Sequence, residues 1–269
     1  MTITLTVDEL ATMAPKDFRQ IVRRGEYTGN SLNACKRYAR TGFVIIPKEF
    51  ALDFFIFLQR NPGLLPINDV TDVGSPHPMR MAPEADLRTD NALYAVFNDG
   101  KLVEEVTDIT NYWRDDFIAF LTGCSLGLDA MLVANGIDYR FLGSYTTNLR
   151  CLPGGRIKGP LAVSCRLFKG GRNATRAVQI ASRFPAFHGP PIHIGDPAAI
   201  GIKDLLHPDC VVAMENITPQ EPDEVAMFWG CGYTLKLVAE ESKLPFMITD
   251  GDAAMFITDR LAEELAVIS

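Results

Sequence analysis

Between Tyr139 and Gly195 the chain has no aspartate and no glutamate, yet Arg140, Arg150, Arg156, Lys158, Arg166, Lys169, Arg172, Arg176 and Arg183 all fall there. Removing that +9 from the overall charge of −7 leaves −16 for the rest of the chain. A basic tract inside an acidic protein points to a local anionic ligand rather than to a general polyanion. A sequence pI near 5.2 and the lack of a nucleic-acid-binding motif argue against nucleic acid as the partner. The structural alternative is that these side chains are solvated or pair with acids elsewhere, and for any single one it is the better reading.

Other absences narrow the classes further. There is no Walker loop, no G-x-S-x-G elbow and no G-x-G-x-x-G turn, which argues against nucleotide, serine-hydrolase and dinucleotide chemistry. No window approaches the roughly 18 apolar residues of a membrane span, and no basic stretch followed by an apolar block opens the chain, so a cytoplasmic protein is expected. Six cysteines, Cys35, Cys124, Cys151, Cys165, Cys210 and Cys231, contain no C-x-x-C pair, which excludes a zinc ribbon and predicts reduced thiols. Tandem repeats and low-complexity tracts are also lacking. With 269 residues, 47% hydrophobic and 22% charged, the chain is long enough for one large domain or two modest ones.

Periodicity and breakers give the order of elements. Thr6 or Asp8 caps a helix over DELATMAPKDFRQIVRRG; Gly42 to Ile46 reads as a strand feeding the helix KEFALDFFIFLQRN. Residues 64–90 read as extended or looping, and Asp99-Gly100 as the tip of a hairpin. WRDDFIAFLTGC and SLGLDAMLVANG are expected as two helices meeting at Gly123 and Cys124. YTTNLRC and PLAVSCRLF look like strands, GRNATRAVQIASRF like a helix and PPIHIG like a strand, a β-β-α-β order. VAMFW, GCGYTLKLVAEES and FMITD then read as strand, helix and strand. The expected fold is α/β: a three-layer α/β/α main domain, residues 1–139 plus 216–269, with a smaller inserted two-layer α+β domain, residues 140–215, and the site at their interface.

Polar side chains concentrate in SRFPAFHGPPIHIGDPAAIGI, residues 182–202, where Arg183, His188, His193 and Asp196 sit among prolines, glycines and apolar residues. Buried polar groups are costly unless partnered, so this segment is the leading place for a site. His188, His193 and Asp196 have an H-x4-H-x2-D spacing that can ligate a divalent metal, with His207 as a distant fourth, although a hydrogen-bonded histidine is the commoner outcome. Asp196 reads equally as the N-cap of a short helix. Cys124 in LTGCSLG and Cys231 in FWGCGYT each follow a glycine and precede a helix start, where unpaired N–H groups favour a thiolate; tight turns chosen for size are the alternative. The two turns echo one another faintly, as related turns in two half-sheets would. Arg88 and Asp90, Asp115 and Asp116, the donors Ser144 to Asn148, and Asp250 and Asp252 are further polar candidates, each with a plain reading as cap, first-turn charge, strand polarity or solvated turn.

LRTD at 87–90, WRDDFIAFLTGCS at 113–125, TN at 147–148, the 182–202 block, FWGCG at 228–232 and FMITDGDAAMFITD at 246–259 together resemble the D-glutamate cyclase family, whose bacterial members are called hydro-lyases. The resemblance implies a two-domain α/β fold and, by similarity to eukaryotic members, conversion of D-glutamate to 5-oxo-D-proline with loss of water. That chemistry needs an anion clamp, a base, an acid and oxyanion donors. Arg183 and Arg88 are assigned as the clamp, His193 oriented by Asp196 as general base or acid, and His188 as a second proton carrier. N–H groups beside Cys231 or Cys124, with Asn148, are assigned to the oxyanion. Asp90, Asp115 and Asp252 complete the substrate-binding candidates. The assignment uses no cofactor, keeps a divalent metal as an alternative, expects a small carboxylate as partner without nucleic acid or membrane, and leaves a homo-oligomer open. A racemase or epimerase with Cys124 and Cys231 as opposed acid and base, and a non-catalytic subunit that binds a 5-oxoproline-type acid, are the competing functions.

Overall fold

Thr6 opens the first helix, α1 (Val7–Thr12), with a capping box: its hydroxyl accepts from the Glu9 N–H at 3.2 Å while the Glu9 carboxylate accepts from the Thr6 N–H at 2.8 Å. Pro15 then starts a separate helix, α2 (Pro15–Arg23), so the single N-terminal helix expected from periodicity is two. These belong to a computed structural model that describes residues 5–210 and 217–267.

The chain continues through β1 (Tyr38–Pro47), α3 (Ala51–Arg60), β2 (Ile67–Val70), β3 (Tyr94–Asn98), β4 (Lys101–Val106), β5 (Phe117–Gly123) and α4 (Asp129–Ala134). After these come β6 (Tyr139–Arg150), β7 (Pro160–Lys169), α5 (Gly170–Ala181), β8 (His193–Ile194), β9 (Glu224–Gly230), α6 (Tyr233–Ser242), β10 (Met247–Asp250) and β11 (Phe256–Leu261). The strands form a seven-stranded sheet, β2-β5-β1-β10-β3-β4 with β11 beside β1, and a four-stranded sheet, β6-β7-β9-β8. Every pairing given for these strands is antiparallel. The protein is therefore a mixed α/β fold with two antiparallel sheets and, among the described residues, six α-helices. None of those helices is long and apolar enough to cross a membrane.

The Asp99-Gly100 hairpin tip is present, both residues having positive φ, as is the β-β-α-β order of β6, β7, α5 and β8. The helix expected over WRDDFIAFLTGC is instead β5, a central strand hydrogen-bonded to β1 from Phe117 to Gly123. Alternation explains the misreading. On β1, Phe43 and Ile45 enter one apolar cluster while Val44 and Ile46 enter another, and on β9 Met227 and Trp229 separate from Ala226 and Phe228 in the same way. The inner strands of both sheets are thus covered on both faces, and such strands read as unbroken apolar runs that periodicity alone cannot tell from buried helix.

Both clusters draw on both sheets, so the sheets share their cores. β9, from the returning segment, pairs with β7 and β8 in the four-stranded sheet. The boundary expected near 215 lies in 211–216, outside the described residues.

Candidate active site

Two strand ends built alike, one from each sheet, meet at a cleft. β5 ends at Gly123 and is followed by Cys124, a 3-10 turn over Ser125–Leu128 and α4; β9 ends at Gly230 and is followed by Cys231, Gly232 and α6. The echo between LTGCS and FWGCG is thus two strand-to-helix turns, and both sulfurs line one cleft of about 60 Å³, room for several water molecules or a small solute. The wall from the seven-stranded sheet supplies Gly42, Thr249 and Asp250, and the wall from the smaller sheet supplies Phe141, Ser144 and Ser164. Lys236 and Asp252 stand at the exposed rim, 3.4 Å apart.

Asp250 is the titratable group that the cleft alters most usefully. Burial pushes its carboxyl up to about 7, against the hydrogen bond that its Oδ1 accepts from the Phe43 N–H at 3.1 Å. The thiols move up as well. Burial takes Cys124 and Cys210 to about 12 and raises Cys231, whose Sγ lies 3.0 Å from Ser144 Oγ. The helix-start effect expected to favour thiolates is outweighed by desolvation, and both turn cysteines are protonated thiols at neutral pH.

Beneath the cleft Arg166 is fully buried, its guanidinium against the rings of Phe141 and Trp229 at 5.0 and 5.3 Å. Asp129 Oδ1 accepts from Nη2 at 2.8 Å and from Nε at 3.1 Å, and Ser125 O accepts from Nη2 at 3.0 Å. Nη1 faces Ser164 Oγ and Ser125 Oγ at 3.3 and 3.5 Å, and these two hydroxyls, both lining the cleft, are 2.9 Å apart.

Of the residues singled out in the sequence, Cys124, Cys231, Ser144, Asp250 and Asp252 come to this cleft. The 182–202 block does not line it; part of the block packs behind it. His188 is buried, with φ +77°, and its Nδ1 and Nε2 have no hydrogen-bond partner among the described residues. A β-carbon placed on Gly230 would lie 2.9 Å from His188 Nδ1, and one on Gly123 would lie 2.1 Å from Ala186 O. The segment therefore wedges against both Gly-Cys turns, which require glycine for that close approach. Burial lowers His188 to about 4, against the main chain of Leu64, Gly123 and Gly63, so at pH 7 its ring is neutral, with one N–H and no second proton.

His193 interacts through Nε2 with the main-chain carbonyl of Asp196 at 2.8 Å, while the Asp196 carboxylate caps Ala198 N–H at 2.9 Å. Asp196 is an N-cap, and its carboxylate is not the partner of His193. Arg183 is exposed, Arg88 forks onto Asp86, and Asp90 accepts from Nε and Nη2 of Arg23 at 2.8 and 2.7 Å. Asn148 and Asp115 are exposed and outside the cleft, and His207 is exposed and pairs with Asp204. Among the described residues no three His, Cys, Asp or Glu side chains converge as a metal site would require, so the H-x4-H-x2-D spacing is not gathered in space. Asp250 and Arg166 carried a weak signal: DGD reads as a solvated turn, and Arg166 is one of nine basic residues in its tract.

Comparison with known proteins adds the family. The model of the D-glutamate cyclase family matches residues 118–259, which include all of β5 but its first residue, both Gly-Cys turns, Arg166 and Asp250. The chain belongs to the D-glutamate cyclase family. "Putative hydro-lyase YcsI" of Bacillus subtilis is 44% identical over 262 residues, 95% of this chain and all of that one. A "Putative hydro-lyase" of Stutzerimonas stutzeri is 42% identical over 95% of this chain and 97% of its own, and one from Rubrobacter xylanophilus is 43% identical over 93% and 96%. A crystal structure of a nitrogen repressor-like protein from Methanococcus jannaschii is similar over 81% of this chain and 86% of its own at a TM-score of 0.39 and 9% identity, too loose a likeness to fix a common fold.

Proposed function

We propose that this family member is a hydro-lyase acting on a small amino or hydroxy dicarboxylic acid, and that its reaction is the interconversion of D-glutamate with 5-oxo-D-proline and water. The observation that carries the reading is Asp250, a carboxyl raised to about 7 in a cleft between two sheets. A group near neutrality exchanges protons in both directions at small cost, which suits a reaction that must take protons from one atom and deliver them to another.

In the cyclising direction the substrate nitrogen attacks the γ-carboxyl carbon. A C–N bond forms, a C–O bond breaks, two protons leave nitrogen and two reach the departing oxygen, which leaves as water. Asp250 relays these protons, acting twice per turnover. The N-cap of α6, Gly232, presents an N–H of the kind a helix leaves unpaired, which is assigned to the developing oxyanion, while the Tyr233 N–H faces Cys231. Cys231 and Ser144, hydrogen-bonded to one another, hold the adjacent wall. His193, Asp196, Arg183, Arg88, Asp90, Asn148 and Asp115 have no part in this proposal. The same reading sets the site at the seam of a larger unit, residues 1–139 plus 216–269, and a smaller one, residues 140–215, with β9 lent to the smaller sheet.

Replacing Asp250 by Asn keeps the shape and removes the titrating group. Turnover in the variant is expected to fall by a factor on the order of 100 to 10,000, and kcat/KM of the unaltered protein to rise with pH through about 7, because the free enzyme starts as the carboxylate. Full turnover in the variant would remove Asp250 from the chemistry.

One observation favours a second reading. Cys124 and Cys231 line the same cleft, as an acid and base pair for epimerisation would. That reading predicts deuterium uptake at Cα from heavy water, lost in Cys124→Ser or Cys231→Ser; the raised thiols weigh against it.

A further inference from the structure

The hydrogen-bond inventory around Arg166 leaves one donor unplaced. A serine hydroxyl has one proton to give and two lone pairs to accept with. Ser125 Oγ and Ser164 Oγ each face Arg166 Nη1, which can only donate, and they face each other at 2.9 Å. One of their two protons lies between the two oxygens. The other meets no protein acceptor among the described residues, and both serines line the cleft.

The charge behind this pair is fully buried. Asp129 takes up the Nε and Nη2 edge of the guanidinium and is itself partly exposed, so the Nη1 edge is the one left to the serines. A buried cation that polarises two hydroxyls strengthens the outward one as a donor, and an ionised acceptor gains most from such a donor. The serine pair therefore suits an ionised carboxylate.

We propose that Ser125 and Ser164, backed by Arg166, form a carboxylate subsite, and that it holds the carboxylate that ring closure leaves intact. The subsite rests on the reading of this cleft as the place where a small acid reacts. It places the spared carboxylate at the hydroxyl pair and leaves the reacting carboxyl to Asp250.

The test compares 5-oxo-D-proline with 2-pyrrolidinone, the same ring without its carboxylate, by calorimetric or NMR titration of the purified protein. The expected preference for the acid is about tenfold or more, the worth of one hydrogen bond to a charged group. That preference should collapse in Ser125→Ala/Ser164→Ala, with binding of the neutral lactam little changed. Each single variant, checked for folding by circular dichroism, should lose part of it. An undiminished preference in the double variant overturns the subsite, and so does a wild-type protein that does not prefer the acid. Carboxylate-selective binding without any turnover would leave the subsite standing and remove the cyclase reading instead.

Discussion

His188 and Asp250 are buried titratable groups of opposite behaviour, and their effects on stability run in opposite directions over overlapping pH windows. The ordinary histidine value near 6.5 falls to about 4 in the folded protein, so between those values the unfolded chain binds the extra proton and stability is lost as pH falls. Asp250 rises from 3.8 to about 7, so over that window the folded protein binds the extra proton and stability is lost as pH rises. His188→Asn keeps a residue that tolerates positive φ and removes the titration. Urea unfolding from pH 7 to 4.5 should then show a shallower acid limb, with slope reduced by up to about 1.4 kcal/mol per pH unit; identical slopes would mean that His188 is solvated. Asp250→Asn should be more stable than the unaltered protein at pH 8 by roughly 2 kcal/mol, with the difference shrinking toward pH 4.

The Gly-Cys turns are the elements that carry the site, and the SRFPAFHGPP segment is the element that sets them in place. At Gly123 a β-carbon would meet the Ala186 carbonyl at 2.1 Å, main chain that cannot step aside. Gly123→Ala should therefore lower stability by about 2 kcal/mol or more, whereas Gly171→Ala, at the exposed start of α5 with no atom within 4 Å, should be neutral or slightly stabilising in the same denaturation assay. Element type was legible wherever breakers bounded a segment: α3, α5, α6, the β3-β4 hairpin and β7 lie where periodicity puts them. β5 was not legible, since a run buried on both faces has no period to read. The 182–202 block held polar groups because it packs between turns and caps its own loop, not because it meets a ligand. Histidine, arginine and aspartate among prolines look the same for either purpose.

At the scale of the whole molecule, four of the nine basic residues of the acid-free stretch pair with acids outside it. Arg140 forks onto Glu224, Arg150 onto Glu241, and Lys169 lies 3.6 Å from Asp223. Arg166 is the member of that tract buried beneath the cleft, a distinction that depends on which strands face one another and so could not be read along the chain. The cleft in turn exists because two antiparallel sheets share their cores while their Gly-Cys ends meet. The most direct test is proton NMR of the purified protein with D-glutamate, L-glutamate and both enantiomers of 5-oxoproline in deuterated buffer, beside Asp250→Asn. The account predicts interconversion of D-glutamate with 5-oxo-D-proline by the unaltered protein, slowed by a factor on the order of 100 or more in the variant. Absence of interconversion for every pair, or equal rates in the variant, would contradict it.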